Sequence, residues 1–209
     1  MKRSLGGPGA EGVVLQGNGK ERSLNDWSRD GRLLLFAEQG EKTQSDLWVL
    51  PVNGGGKPGE PEVFLNSEFN ESQGQFSPDG KWIAYVSDET GQSQVYIQPF
   101  PRGAGTAGKI AVGPGVMPRW RRDGKELFYI QPGGGARVMA ADFASIPATA
   151  VGIPRQLFRV AAAFVDARTF MWDVASAGDR FLLTALPLNT GDVEAPLTVV
   201  LNWQRMLEP

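Results

Sequence analysis

Asp26, Gln75, Arg119 and Asp173 occupy one recurring place in this chain, each directly before a repeated position held by Trp27, Phe76, Trp120 and Val174. Side chains alternate along a strand, so where the aromatic enters the packing between sheets, its predecessor faces the opposite blade surface or the channel mouth, and the polarity of these residues is consistent with a wet axis. Asn25, Glu71 and Gln73 lie slightly earlier on the same strands and extend this candidate ligand-binding rim. Asp26, Glu71 and Asp173 are carboxylates, and a hard cation such as calcium or another divalent metal takes six to eight oxygen ligands of that kind. A solvated channel lining without metal is the alternative reading of the same residues.

The sequence contains no histidine and no cysteine. Ser-His-Asp and Cys-His constellations are therefore excluded, together with disulfides and the usual zinc ligands. Any catalysis would have to use a carboxylate base or a metal-bound water. With 21 basic and 23 acidic residues the net charge is −2, which gives no broad attraction for nucleic acid or an anionic membrane. No run approaches the roughly 18 apolar residues of a membrane span. Met1 to Gly9 carries two positive charges without the apolar core of an export signal. A soluble chain that inserts in no membrane and binds no nucleic acid is expected. Gly7 to Gly12 fits G-x-G-x-x-G, but the β-like Val13-Val14-Leu15 follows where a dinucleotide site needs a helix.

The elements that position these residues are legible from self-similarity. Trp27-Ser28-Arg29-Asp30-Gly31, Phe76-Ser77-Pro78-Asp79-Gly80 and Trp120-Arg121-Arg122-Asp123-Gly124 are three copies of one motif, and Val174 to Asp179 is a degraded fourth. Starts at positions 27, 76, 120 and 174 give a period near the roughly 40–50 residues of a propeller blade. Asp in such a turn caps backbone N–H groups and Gly accepts a positive φ, so Asp-Gly reads as a tight turn rather than a carboxylate site. An apolar run follows each turn, then a second run (46–52, 94–100, 136–143, 197–203), and a third closes the first three units. Several runs are apolar on both faces, as in Leu33-Leu34-Leu35-Phe36, which suits sheets buried on both sides. Trp48, Tyr96 and Met139 recur on the third strand as wedge-filling side chains.

The sequence thus predicts an all-β propeller of four four-stranded blades, at about 23–65, 71–112, 116–160 and 169–207, within one domain over 11–209 after a disordered tail over 1–10. The fourth unit lacks a rim strand, and Val13 to Gln16 is a spare strand able to supply it. Supplied within the chain, it closes a four-bladed ring; exchanged between two chains, it makes a homodimeric ring of eight blades.

The stretch Phe76-Ser77-Pro78-Asp79-Gly80-Lys81-Trp82-Ile83-Ala84-Tyr85-Val86-Ser87-Asp88-Glu89, with Gln94 to Pro101 after it, resembles the TolB-type β-propeller repeat family. Leu201 to Leu207 is similar to the chain ends of the C-terminal sensor-like region of certain bacterial receptor serine/threonine kinases. The resemblance, spanning Leu24 to Leu207, implies a scaffold for protein or small-molecule contacts with no shared active site. Relatives of this kind usually hold six to eight units and are often extracytoplasmic, so four units read as half a propeller. Two functions stay open: a binding module, or a hydrolase of esters, lactones or phosphotriesters acting at the axis through carboxylates or a divalent metal.

Overall fold

The computed structural model describes residues 13–41, 43–52, 58–102, 108–145, 150–160, 162–163, 172–184, 186–187 and 197–201. Among them there are strands and turns but no helix. The first sheet contains β1 (Arg22–Trp27), β2 (Leu33–Gln39), β3 (Ser45–Pro51) and β4 (Glu62–Leu65), hydrogen-bonded in chain order. The second repeats that order with β5 (Ser72–Phe76), β6 (Trp82–Ser87), β7 (Gln94–Pro99) and β8 (Ile110–Pro114). In the third, β9 (Val116–Trp120), β10 (Glu126–Gln131) and β11 (Ala136–Ala144) are followed by β12 (Ala150–Val151) and β13 (Arg155–Val160), both paired with β11. A small pair, β14 (Ala162–Ala163) with β17 (Leu186–Pro187), flanks the fourth sheet, whose order is β15 (Trp172–Val174), β16 (Arg180–Thr184), β18 (Leu197–Leu201). Every pairing is antiparallel.

The Asp-Gly turns do what their chemistry dictates. Gly31, Gly80, Gly124 and Gly178 hold φ values of 71°, 70°, 72° and 76°, where a side chain is disfavoured. Asp79 accepts from the Ser77 hydroxyl at 2.6 Å and from the Lys81 N–H at 3.1 Å, and Asp30 accepts from Ser28 and Arg32 in the same way. In the third copy Arg121 stands in for the serine and grips Asp123 with two bonds of 2.8 Å. The hydrogen bond from Ser28 holds the Asp30 carboxyl below its usual range, and the bond from Arg121 does the same for Asp123. These carboxylates lock turns.

The second strands of the first three sheets bury both faces, and the buried side chains sort by direction. Leu35, Ala84 and Phe128, each four residues after a turn glycine, are fully buried and point toward the following sheet. Tyr85, Tyr129 and Leu183, one residue later, point back toward the preceding one. One cluster joins the first two sheets through Leu35, Leu47, Phe64, Phe76 and Tyr85; another runs through the second, third and fourth, from Trp82 to Phe181. Sheets packed face to face in chain order, with the first strands of successive sheets side by side, are propeller blades.

The N-terminal segment departs from expectation. Val13 to Gln16 forms no strand and closes no sheet within the chain. Val14 and Leu15 pack on Phe36, Leu50 and Val52, on a face of the first blade that no other described sheet covers. Arg22 fixes the segment through the Gln16 carbonyl at 2.7 Å, and Asn18 donates to Glu38 at 3.1 and 3.2 Å. The physical reason is local: consecutive apolar residues within a bend can cover an apolar face, whereas a paired strand would send alternate side chains away from it.

Candidate functional site

The first strands of the first three blades carry an irregularity that sets the direction of the predicted site residues. Register shifts fall between Leu24 and Asp26 in β1, between Ser72 and Gln75 in β5, and in β9 opposite Phe128 to Ile130. Gln73 and Met117, at equivalent places in β5 and β9, both adopt φ of 55°, a left-handed conformation non-glycine residues rarely take. Such bulges re-aim side chains, and here they aim them at the next blade's backbone.

Asn25 accepts from the Gly74 N–H at 3.0 Å and Asp26 from the Phe76 N–H at 2.9 Å, joining the first blade to the second. Gln73, fully buried, accepts from the Met117 N–H at 2.6 Å, joining the second to the third. The Gln75 carboxamide, oriented as its neighbours require, donates to the Pro118 carbonyl at 3.2 Å and accepts from Arg119 at 2.6 Å. Arg119 then reaches the Trp172 carbonyl at 3.3 Å and the Asp173 carboxylate at 3.7 Å in the fourth blade, and the Trp172 indole donates back to Met117 at 2.9 Å. Six of the seven predicted residues therefore form one continuous stitch between neighbouring inner strands.

The seventh, Glu71, is buried in the connection entering β5, where Ser67 donates to it through its hydroxyl and its N–H. Burial pushes its carboxyl above the usual range, against the two Ser67 bonds. Asp26, Glu71 and Asp173 are not gathered around one point, and no group of three or more metal-ligating residues occurs among the described residues. Asp26 and Asp173 instead share the charge of Arg119, a cation already supplied by the chain.

Burial pushes the Asp26 carboxyl above its usual range, although the Phe76 and Trp27 N–H groups and Arg119 pull it down. The native state therefore holds this proton to higher pH than the unfolded chain does, and stability falls as pH rises from about 4 through the native value. Asp26→Asn keeps an acceptor for Phe76 and removes the charge, so its thermal stability is expected to gain on the natural protein as pH is raised. Asp26→Ala leaves the Phe76 N–H without its acceptor and is expected to cost about 1–3 kcal/mol. Parallel melting curves for Asp26→Asn and the natural protein from acid to neutral pH would contradict the first expectation.

Sequence reasoning missed a cleft of about 210 Å³ at the end of the blades where the first strands begin. Glu21 and Ser23 from the start of β1, Ser72 and Gln73 of β5, Gln39 and Ser45 from the β2–β3 turn, and Asp88 and Ser93 from the β6–β7 turn line it. Among the described residues its lining has two carboxylates, several hydroxyls and amides, and no basic side chain. Asp88 also accepts from the Asn70 N–H at 2.9 Å, which fixes its carboxylate. Serines on strand starts and turns carry no sequence signal, since the same residue type is common in any loop.

Solved structures resemble this arrangement. A TolB from Acinetobacter baumannii superposes with a TM-score of 0.69 at 16% identity, over 93% of this chain and 44% of that one. The fold is TolB-like. A protein provisionally named TolB from Agrobacterium tumefaciens gives a TM-score of 0.61 at 16% identity, over 85% of this chain and 60% of its own. One provisionally named 6-phosphogluconolactonase from Bacteroides uniformis gives 0.52 at 13% identity, over 78% and 48%. The chain thus spans less than half of the Acinetobacter TolB and under two thirds of the Agrobacterium protein. No protein-family model and no curated protein matches the chain. Among the described residues no helix is long and apolar enough to cross a membrane.

Proposed function

We propose that this protein is a TolB-like propeller scaffold that binds a protein partner by admitting a basic side chain into the cleft between its first two blades. The observation that carries this reading is the lining: Glu21 and Asp88 amid hydroxyls and amides, with no basic side chain among the described lining residues. Carboxylates gathered at a cleft raise the local concentration of cationic groups. At about 210 Å³ the cleft is smaller than the roughly 300–1,000 Å³ of a drug-sized site and suits one long side chain. The sequence likeness to the propeller region of receptor kinases supports a sensor role, in which a partner is recognised rather than transformed. The hydrolase reading has less support, because Asp26, Arg119 and Asp173 hold each other and the neighbouring backbone.

The test is titration calorimetry with a blocked Gly-Arg-Gly peptide and its citrulline counterpart. The arginine peptide is expected to bind, more weakly as salt is raised, and the citrulline peptide to fail. Glu21→Gln is expected to weaken binding several-fold, and Ser93→Trp to block it. Binding untouched by Ser93→Trp, or none to the natural protein, would overturn the reading, as would calcium-dependent hydrolysis of an activated ester lost in Asp26→Ala.

A further inference from the structure

Asn18 and Gly19 lie in an exposed stretch that carries reactive chemistry of its own. Gly19 holds φ of 82°, with open space where a side chain would stand. Its N–H makes no hydrogen bond among the described residues. The Asn18 carboxamide beside it is fixed at both ends. Its Oδ1 accepts from the Lys20 N–H at 3.1 Å, and its Nδ2 donates to the two Glu38 oxygens at 3.2 and 3.1 Å. Glu38 is 6% exposed and also pairs with Arg22 and Lys20. The bond to Glu38, with the bond from Arg22 to the Gln16 carbonyl, holds the segment whose Val14 and Leu15 cover Phe36, Leu50 and Val52.

We propose that Asn18 is a self-modification site, and that conversion of its amide to an acid releases this segment. The Gly19 nitrogen gives its proton to solvent hydroxide and attacks Asn18 Cγ, while the Lys20 N–H steadies the charge that gathers on Oδ1. The Gly19 N–Cγ bond forms, the Cγ–Nδ2 bond breaks, and Nδ2 leaves as ammonia with a proton from water. Water then opens the cyclic imide, at Cγ to give aspartate or at the Asn18 backbone carbonyl to give isoaspartate. The net change is an amide and a water becoming a carboxylate and ammonium, and escape of the ammonia makes it one-way. Glycine suits the attacking position because no Cβ hinders ring closure and its backbone turns freely. The other asparagines among the described residues, Asn25, Asn66 and Asn70, precede Asp26, Ser67 and Glu71, which all carry side chains. Asn53-Gly54 repeats the pair and lies outside the described residues. The product sets a carboxylate against Glu38 where a donor stood, so attraction becomes repulsion at hydrogen-bond distance. Isoaspartate also routes the main chain through Cβ and lengthens it.

Peptide mapping by mass spectrometry, on folded protein held in warm, mildly alkaline buffer, tests the first step. Acid at position 18, as aspartate and isoaspartate, is expected to accumulate at least about tenfold faster than at Asn25, Asn66 or Asn70, and faster still as pH rises. Mapping separates it from any change at Asn53. The release is read by trypsin cleavage after Lys20. Asn18→Asp is expected to be cut there at least about tenfold faster than the natural protein, and Asn18→Ser, which removes the donor without adding charge, to fall between them. Both variants should keep the natural far-ultraviolet circular dichroism, since the changed residue is exposed. Conversion at position 18 no faster than at the other three asparagines, or Asn18→Asp cut no faster than Asn18→Ser, would overturn the proposal.

Discussion

Phe128→Ala is expected to remove about 3–5 kcal/mol of stability, read as a fall in the urea midpoint, because it empties the seam between the third and fourth blades. Phe128 is fully buried on β10 and meets Phe181 edge-on, with centroids 5.3 Å apart and planes at 90°. Phe181 also contacts Phe158 at 5.3 Å and stacks on Trp172 at 6.0 Å. Truncation leaves a cavity that this ring group cannot close, since Trp172 is fixed through its indole to Met117 and Phe181 is held by the β15–β16–β18 sheet. Aromatic pairs of this geometry add about 0.5–1.5 kcal/mol beyond area burial. A loss of that size is a large share of the roughly 5–15 kcal/mol that holds an ordinary domain together. A change below about 1 kcal/mol would mean the fourth blade does not pack on the third.

The architecture was legible because its determinants are local. Each Asp-Gly pair fixes a positive-φ glycine, and the apolar run after it must be a strand at a known offset; the runs at 82–87 and 126–131 follow from their turns alone. The roles of Asn25, Asp26, Gln73 and Arg119 were not legible. Alternation along a regular strand sends them toward water, whereas the register shifts turn them onto the neighbouring blade. A bulge depends on the fit of two strands against a third, and nothing in the spelling of Leu24-Asn25-Asp26 announces it. Val13 to Gln16 forms no strand within the chain for a related reason. Its apolar run is strand-like, but the uncovered Phe36 face competes for it, and that face exists only once the blade has formed.

The stitch also explains why polar residues occupy the inner strands. First strands of neighbouring blades are not paired with each other in the sheets, so N–H groups such as those of Gly74, Phe76 and Met117 face side chains rather than a ladder partner. Buried N–H groups need acceptors, and carboxylates and carboxamides provide them without a fifth strand. A row that looks like a ligand set is thereby used up in holding blades together, and the open cleft lies elsewhere, at the end lined by Ser23, Ser45 and Ser93.

Gly115→Val is expected to destabilise the protein by about 3 kcal/mol or more, among the larger costs of overpacking. Gly115 is the single residue between β8 and β9, and its N–H bonds the Ser93 carbonyl at 3.0 Å. A Cβ placed there would lie 2.4 Å from Tyr129 Cδ2 and 2.7 Å from the Ile130 backbone oxygen, both inside contact distance. Tyr129 cannot step aside, because it is fully buried and its hydroxyl lies 2.6 Å from where a Cβ on Gly113 would stand. The chain therefore crosses from one blade to the next on a glycine because a ring and a carbonyl leave no space for more. Gly108→Val meets nothing within 4 Å and should stay within about 0.5 kcal/mol of the natural protein. Tyr129→Leu added to Gly115→Ala removes the ring clash but not the carbonyl, so the pair should recover part of the single-variant loss. Equal urea midpoints for Gly115→Val and Gly108→Val would show that the ring and the carbonyl do not confine this crossing.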